Sequence, residues 1–381
     1  MRSFDVVIAG GGLIGGAIAL ELSRAGLDVA VFDAREPGQE ASWASAGILS
    51  PAPENAAMIA LVPLAKASLL MYPDFIALVE ELSAIPTGYR AKGTVAALFS
   101  RHAREELNTI IALHHGLGLK AEALSAKEAR ELEPALSKEM EAAVLRPDEA
   151  SVDNRQLSGA LLEAAKRSGA QIFAGSAVQA IWRGGSECLG AVLQSGEKIA
   201  AKHTIIAAGC FSSQIEGAGE FAPVRPAKGQ MVSLRCASAK IERVLWSERI
   251  YLVPRSDGRI LAGATVEYVG FEKTVTAAGV HANLDGAIEL SPALAAACIE
   301  ATWAGLRPDT PDHLPILGTT DIEGLLIATG HFRSGVLLTP MTARLVSEQV
   351  LGKTLSYDWE RFSPLRFRAA RERTPASGVR S

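Results

Sequence analysis

The stretch that decides the fold runs from Phe4 to Asp33 and reads FDVVIAGGGLIGGAIALELSRAGLDVAVFD. Its apolar start, Phe4 to Ala9, predicts a buried β-strand, and Leu13 to Arg24 has the spacing of apolar residues that is typical of a helix. Asp28 to Phe32 predicts a second strand. The sequence therefore opens with a β-strand, a helix and a further β-strand.

Three glycines stand between the first strand and its helix in the pattern GxGxxG, at Gly10, Gly12 and Gly15. The first permits a tight turn, the second lets backbone approach a pyrophosphate, and the third lets helix and strand pack closely. The pyrophosphate then lies at the helix N-terminus, where free N–H groups favour an anion. Asp33, at the end of the second strand, is placed to accept hydrogen bonds from ribose hydroxyls and disfavours a 2′-phosphate. These features predict an adenine dinucleotide but do not separate FAD from NAD.

Two remote segments favour a flavin. Residues 41–47 read ASWASAG, a composition that lets backbone approach a ligand closely. Residues 330–335 read GHFRSG and open a predicted helix, Leu337 to Leu351, whose N-terminus can stabilise negative charge on a reduced ring. A strand that ends in Gly209 suits a sheet edge that faces a ligand. An extended FAD needs such contacts from distant parts of the chain.

Two arginines are candidates for binding a substrate carboxylate, because a guanidinium matches a carboxylate in a bidentate manner. Arg307 lies in a Pro- and Gly-rich segment, residues 305–318, predicted to be a loop, and Arg333 lies in the GHFRSG segment. Tyr251, on a predicted strand, offers a hydroxyl to the same carboxylate. For each residue a purely structural role is the alternative.

Bulk properties exclude several classes of protein. The 38 basic and 42 acidic side chains give a net charge of −4, which provides no general attraction to nucleic acid or anionic lipid. The spacing of cysteine, histidine and acidic residues suggests neither disulfides nor a metal site, and favours the cytoplasm. The most apolar stretch, Ala56 to Tyr72, is short for a membrane span and contains Pro63 and Lys66, so stable membrane insertion is not expected. Residues 361–380 are arginine-rich and are predicted to form a solvated tail.

The motifs resemble those of the D-amino acid oxidase superfamily of flavoproteins, and within it the glycine oxidases of thiamine biosynthesis. The resemblance covers nearly the whole chain, through the GxGxxG turn, the segment ASAG at residues 44–47, YLVPR at 251–255, WAGLRP at 303–308 and GHFRSGVLL at 330–338. Two positions depart from the family pattern: Arg249 stands where a histidine is expected, and Ser334 replaces an asparagine. These departures leave the substrate range open.

The resemblance implies non-covalent FAD, with Arg307 and Arg333 holding the substrate and Tyr251 close by. The implied cofactor-binding residues are Leu13, Ile14, Asp33, Ala34, Ala41, Ser42, Ala46, Gly47, Ile48, Val178, His331, Phe332, Arg333, Ser334, Gly335, Val336 and Leu337. The turn glycines Gly10, Gly12 and Gly15, with Gly209 and Gly330, complete the predicted cofactor site.

The predicted fold is α/β, with a Rossmann-like FAD-binding domain of the glutathione-reductase type. Residues 1–88, 150–222 and 305–381 are assigned to this domain. Residues 89–149 and 223–304 are assigned to an α+β substrate domain built on an antiparallel sheet, as the alternating runs at 231–234 and 250–253 indicate.

The predicted reaction is hydride transfer from the α-carbon of a small amino acid to the flavin, followed by reduction of oxygen to hydrogen peroxide. No general base is required, because the hydride leaves carbon directly. A dehydrogenase that passes electrons to a quinone or a protein, a flavin-binding regulatory protein without turnover, and an NAD-binding module are the alternatives. Glycine, sarcosine and small D-amino acids are not ranked, and assembly into a homo-oligomer is left open.

Overall fold

The computed structural model describes residues 2–367, which form two large sheets flanked by helices. The strands are β1 (Ser3–Ala9), β2 (Val29–Phe32), β3 (Ile48–Leu49), β4 (Thr94–Leu98), β5 (Glu122–Ser125), β6 (Ala142–Arg146), β7 (Ala150–Ser151), β8 (Gln171–Phe173), β9 (Val178–Gly184), β10 (Glu187–Leu193), β11 (Lys198–Ile206), β12 (Arg225–Arg235), β13 (Val244–Trp246), β14 (Tyr251–Pro254), β15 (Arg259–Gly263), β16 (Cys298–Asp309), β17 (Ile316–Thr319) and β18 (Leu325–Thr329). The helices are α1 (Leu13–Arg24), α2 (Ala41–Ala44), α3 (Val62–Ser83), α4 (Ala103–Gly116), α5 (Ala126–Leu132), α6 (Asn154–Arg167), α7 (Ala277–Leu290) and α8 (Gly335–Val350).

The first sheet has the order β17-β18-β11-β1-β2-β8, and β10 and β9 extend it from β11. Strand β1 pairs in parallel with both β2 and β11, so that Ala9 lies beside Phe32 on one side and Ile206 on the other. Val6 to Ile8 are fully buried, as expected for a central parallel strand covered on both faces. The predicted βαβ opening is confirmed, and the carboxyl ends of three neighbouring strands meet at one edge.

The second sheet has the order β16-β12-β15-β14-β13-β4-β6-β5 and is antiparallel except for the parallel pair of β4 and β13. It joins strands from residues 94–146 with strands from residues 225–309. The predicted mixed α/β fold with a second, antiparallel sheet is therefore confirmed. Sequence analysis missed helix α7, which packs on this sheet.

Residues 305–318 were predicted to be one loop, and this prediction was wrong for both ends of the segment, which lie in strands β16 and β17. Strand β16 continues to Asp309 because Arg307 pairs with Ala227 on β12, and the ladder holds this Pro- and Gly-containing stretch extended. A domain boundary at residue 304 falls inside this strand. We propose placing that boundary in residues 310–315, while the other domain limits remain predictions.

Residues 56–83 form one apolar helical segment, with a 3₁₀ turn at Ala56–Leu61 leading into α3. The helical segment is longer than the predicted stretch: it has 28 residues, and its most apolar 18-residue window has a mean hydropathy of 1.5, so by length and composition alone it could cross a membrane. Ser68 donates a hydrogen bond to the carbonyl of Leu337 at 2.6 Å, and the Tyr72 hydroxyl donates to the carbonyl of Val336. The apolar helix is thus fixed to the first turn of α8.

The prediction of a solvated C-terminal tail was wrong for residues 361–367. Phe362 is buried, and Arg366 forms an ion pair with Asp312 at 2.9 Å. The remaining residues of the predicted tail lie outside the described part of the chain.

Candidate active site

A cavity of about 1090 Å³ opens at the carboxyl ends of β1, β2 and β11 and extends to residues of the second sheet. The loop after β18 and the first turn of α8 form another wall. The predicted residues Arg307, Arg333 and Tyr251 all line it. Of the predicted cofactor residues, Gly15 and Gly330 do not.

The turn between β1 and α1 depends on glycine at three positions. Gly10 has a φ of +104°, and a Cβ there would lie 2.5 Å from the carbonyl oxygen of Ala207 on the neighbouring chain segment. A Cβ on Gly15 would overlap the carbonyl oxygen of Gly10, so Gly15 serves packing and not ligand contact. Gly12 caps α1 without a side chain, and the N–H of Leu13 donates to Ser42 Oγ at 3.0 Å. The N-terminus of α1 therefore opens onto the cavity, as a pyrophosphate requires.

The carboxylate of Asp33 is held by two backbone N–H groups. Oδ2 accepts from Gly11 at 2.7 Å, and Oδ1 accepts from Arg35 at 3.0 Å. Each carboxylate oxygen has a second lone pair. Asp33 is therefore fixed at the cavity wall and retains acceptor capacity for ribose hydroxyls.

The small-residue segment 42–46 is held by its main chain, through contacts that sequence analysis missed. Buried Arg255 donates to the carbonyl of Ala46 at 2.9 Å and to Asn154 Oδ1 at 2.8 Å. Asn154 Nδ2 donates to the carbonyls of Ser42 and Trp43 at 2.8 and 2.9 Å. Burial lowers the pKa of Arg255 to about 10. The network fixes a backbone that carries only small side chains toward the cavity.

His331 lies in the turn that leads into α8 and is buried, with Nε2 3.1 Å from Thr342 Oγ1. Burial lowers the pKa of His331 to about 3, so the ring is neutral at working pH. Gly330 was predicted to contact the cofactor, but it packs against Thr310, where a Cβ would lie 2.5 Å from Cγ2. Gly330 has a φ of +74°, a backbone conformation that favours glycine. This conformation is sufficient reason for a glycine at the position.

The lowered pKa of His331 predicts a dependence of stability on pH. The folded protein keeps His331 neutral down to about pH 3. The unfolded chain binds a proton below about pH 6.5. The contribution of His331 is therefore fully present above that pH and falls by about 1.4 kcal/mol per pH unit as the pH decreases toward the folded pKa.

We expect His331→Gln to remove this share of the pH dependence. Urea unfolding of the FAD-saturated proteins at pH 7, 6 and 5 measures it. If the free energy of unfolding changes with pH equally in the variant and in the wild type, His331 does not cause this pH dependence.

Arg307 and Tyr251 lie close together at the end of the cavity formed by the second sheet. The guanidinium of Arg307 donates to the carbonyl of Thr265 at 3.1 Å and lies where a Cβ on Gly229 would overlap it. Among residues 2–367, no carboxylate forms an ion pair with Arg307. Burial raises the pKa of Tyr251, and the nearby Arg307 opposes the rise. This corner offers an unpaired cation and a neutral hydroxyl.

Arg333, unlike Arg307, has a carboxylate partner. It forms an ion pair with Glu54, a residue of the loop after β3 that sequence analysis missed, and burial lowers the pKa of Arg333. Glu54 also lines the cavity. The two predicted substrate arginines thus differ, because Arg307 has no carboxylate partner among residues 2–367, while Arg333 is paired with Glu54.

Comparison with known proteins places this geometry in a family. A family model described as FAD dependent oxidoreductase matches residues 5–349. The chain belongs to this family. It is therefore an oxidoreductase with FAD as its cofactor.

Several known proteins are similar to this FAD-dependent oxidoreductase over nearly the whole chain. It is 36% identical over 370 residues to the bifunctional protein ThiO/ThiG of Synechocystis sp., covering 95% of this chain but 54% of that protein. The chain thus spans about half the length of this relative. It is 34% identical to a glycine oxidase of Geobacillus kaustophilus, covering 94% of this chain and 96% of the relative. The crystal structure of glycine oxidase from that organism superposes with a TM-score of 0.90 at 33% identity, covering 96% of this chain and 99% of the other.

The cavity of this FAD-dependent oxidoreductase fits FAD. A Cβ on Gly10 would lie too close to Ala207, and a Cβ on Gly12 would lie too close to Ser42. The turn at the N-terminus of α1 is therefore formed by backbone without side chains. Asp33 follows at the end of β2, where a ribose is expected. The first turn of α8 and segment 42–46 lie along the same cavity, as a long cofactor needs.

Proposed function

We propose that this FAD-dependent oxidoreductase oxidises glycine and other small or N-methylated amino acids at the carbon–nitrogen bond, giving the imino acid. The observation that carries the proposal is Arg307, a half-buried cation without a carboxylate partner among residues 2–367, in the same cavity as the turn of α1. The glycine oxidase and ThiO/ThiG relatives support the same substrate class.

Arg307 binds the substrate carboxylate through its guanidinium, and the hydroxyl of Tyr251 donates a further hydrogen bond. When bound, FAD supplies a hydride acceptor. The protein therefore needs to position the α-carbon and needs no general base to remove a proton from it. Arg333 can join the carboxylate only when its ion pair with Glu54 opens.

We propose that the cofactor is held non-covalently by residues of the turn, the small-residue segment and the first turn of α8. These are Gly10, Gly12, Leu13, Ile14, Asp33, Ala34, Ala41, Ser42, Ala46, Gly47, Ile48, Val178, Gly209, His331, Phe332, Arg333, Ser334, Gly335, Val336 and Leu337, all of which line the cavity. Bound FAD that had accepted the hydride would be reoxidised by oxygen, which would give hydrogen peroxide. Dehydroglycine made in this way would serve thiazole assembly for thiamine in the cytoplasm.

Anaerobic mixing tests this function. Purified holoenzyme is mixed with glycine, sarcosine, D-alanine and D-proline while flavin absorbance is followed, and air is then admitted with a peroxide assay. We expect glycine to bleach the flavin and air to produce peroxide rapidly. Bleaching without peroxide identifies a dehydrogenase, and no bleaching by any of the four contradicts amino acid oxidation.

A further inference from the structure

The chain after β15 departs from the regular ladder through a bulge. Gly263 of β15 pairs with Met231 of β12, and the next pairing along the two segments joins Glu267 to Lys228. Two residues of β12 therefore face three residues, 264–266, which we call the bulge. A bulge leaves its extra residue out of the ladder, bends the strand and often lies next to an active site.

The bulge holds the substrate arginine through its main chain. The carbonyl of Thr265 accepts a hydrogen bond from Arg307 Nη1 at 3.1 Å. The N–H of Gln230 donates to Thr265 Oγ1 at 3.0 Å, so the hydroxyl takes the place that a backbone carbonyl has in a regular ladder. The orientation of the carbonyl, and with it that of the guanidinium, therefore depends on how the side chain of Thr265 is held.

Glu267 holds this side chain. The Thr265 hydroxyl donates to Glu267 Oε1 at 2.6 Å, and Gln230 Nε2 donates to the same oxygen at 2.7 Å. The main chain of Glu267 is fixed as well, because its N–H donates to the carbonyl of Lys228 at 2.9 Å and its carbonyl accepts from the N–H of Lys228 at 2.8 Å. Thr265 is thus fixed from one side by Gln230 and from the other by Glu267.

The charge of Glu267 is balanced by Lys228 and not by Arg307. Lys228 is 2% exposed, and its ammonium lies 3.0 Å from Glu267 Oε2 and donates to the carbonyl of Thr274 at 3.2 Å. Burial alone would raise the pKa of Glu267, but hydrogen bonds from its polar neighbours outweigh burial and lower the pKa, so the carboxylate is ionised at neutral pH. Glu267 therefore fixes Thr265 without neutralising Arg307, whose charge stays available to a substrate carboxylate.

We propose that Glu267 is a positioning residue for the oxidation of small amino acids, because it fixes the bulge whose carbonyl aligns Arg307 with the substrate carboxylate. The inference rests on the proposed function, since Arg307 must bind that carboxylate. A bidentate pair needs the guanidinium in one plane with both carboxylate oxygens. Without the carboxylate of Glu267, Thr265 loses one of its two anchors, and Arg307 keeps its charge but loses this alignment.

Variants of both residues test the role. Thr265→Val and Glu267→Gln should each raise the KM for glycine and the dissociation constant for acetate by roughly 10-fold, with kcat changed by less than about 3-fold, because the carboxylate is held less well before and during the reaction. Thr265→Ser keeps the hydroxyl and should restore the wild-type constants to within about 2-fold. Steady-state kinetics and acetate titration of the flavin absorbance measure these constants on the holoenzymes.

Glu133→Gln is the matched control. Glu133 is also a buried carboxylate that holds a segment beside a strand: it accepts from the N–H groups of Glu242 and Arg243 at 3.1 and 2.9 Å and forms an ion pair with Arg243 at 3.1 Å. This segment precedes β13 and is not the one that holds Arg307. The control should keep the wild-type constants. If it raises them as much as Glu267→Gln does, the effect is a general loosening of the fold and the positioning role is overturned.

A double-mutant cycle separates positioning from any other effect of Glu267. In an Arg307→Ala background there is no guanidinium to align, so Glu267→Gln should lower kcat/KM by less than about 2-fold. A loss of roughly 10-fold in both backgrounds would show that Glu267 acts independently of Arg307, and it would overturn the proposal. Should Glu267→Gln fail to fold, Thr265→Val takes its place in the cycle.

The outcomes also separate this proposal from the proposed function. If glycine is oxidised but Thr265→Val and Glu267→Gln keep the wild-type constants, the positioning role is overturned and the proposed function stands. If no amino acid is oxidised, acetate binding decides. Weaker binding by these two variants but not by Thr265→Ser supports the alignment of Arg307, while equal binding by all variants, or none by the wild type, overturns it.

Discussion

Replacing Arg307 with alanine is expected to lower kcat/KM for glycine by roughly 150-fold or more, about 3 kcal/mol of transition-state binding. Arg307 holds its position through the carbonyl of Thr265 and the space beside Gly229, and no carboxylate in residues 2–367 neutralises it. The substrate carboxylate would lose its charged partner in a half-buried corner. Steady-state kinetics with glycine, at equal FAD content, measure the effect.

Two further variants show whether charge or geometry is lost. Arg307→Lys keeps the charge without the planar fork and should fall between the wild type and alanine. Arg333→Ala should lower kcat/KM less than Arg307→Ala, because the guanidinium of Arg333 is already paired with Glu54. A larger loss for Arg333→Ala would assign the carboxylate to Arg333 instead. Unchanged kcat/KM in Arg307→Ala would remove that residue from the site.

The βαβ turn at one end of the cavity can be predicted from the sequence because its contacts join residues that are close in the chain. Gly10, Gly12 and Gly15 lie within one turn, and the parallel pairing of β1 follows from its apolar run. Asp33 closes the same βαβ unit. Arg307 was also found from its residue type, although its neighbourhood was predicted as a loop because Pro308 and Gly305 obscured strand β16.

Contacts between distant parts of the chain could not be predicted. Arg255 binds the carbonyl of Ala46, 209 residues away, through main-chain atoms that leave no pattern in the sequence. Glu54 is an ordinary charged residue until the fold places it beside Arg333 in the wall of the cavity. One feature of the sequence could have identified Arg255 as a structural residue: it follows an apolar strand directly. An arginine that is buried there needs several hydrogen-bond acceptors.

Gly15→Ala is expected to weaken FAD binding by roughly 100-fold and to lower the stability of the protein by about 3 kcal/mol, the cost of forcing a methyl group into a packed backbone contact. The added Cβ would overlap the carbonyl oxygen of Gly10 and lie 3.3 Å from Ile8 Cγ2. Backbone cannot rotate aside as a side chain can. Helix α1 would therefore have to move away from β1, and the turn at Gly10 would move with it.

Gly16→Ala is the matched control for this variant. It adds the same methyl group one residue further along α1, but its Cβ would lie 3.5 Å from Leu162 Cδ2, an ordinary contact. Alanine also favours the helix by up to about 1 kcal/mol. Flavin fluorescence titration of the apoproteins and thermal unfolding measure both variants. If Gly15→Ala binds FAD as tightly as Gly16→Ala, the close approach of α1 and β1 does not shape the cofactor site, and FAD must be held mainly by the segment at residues 42–46 and by α8.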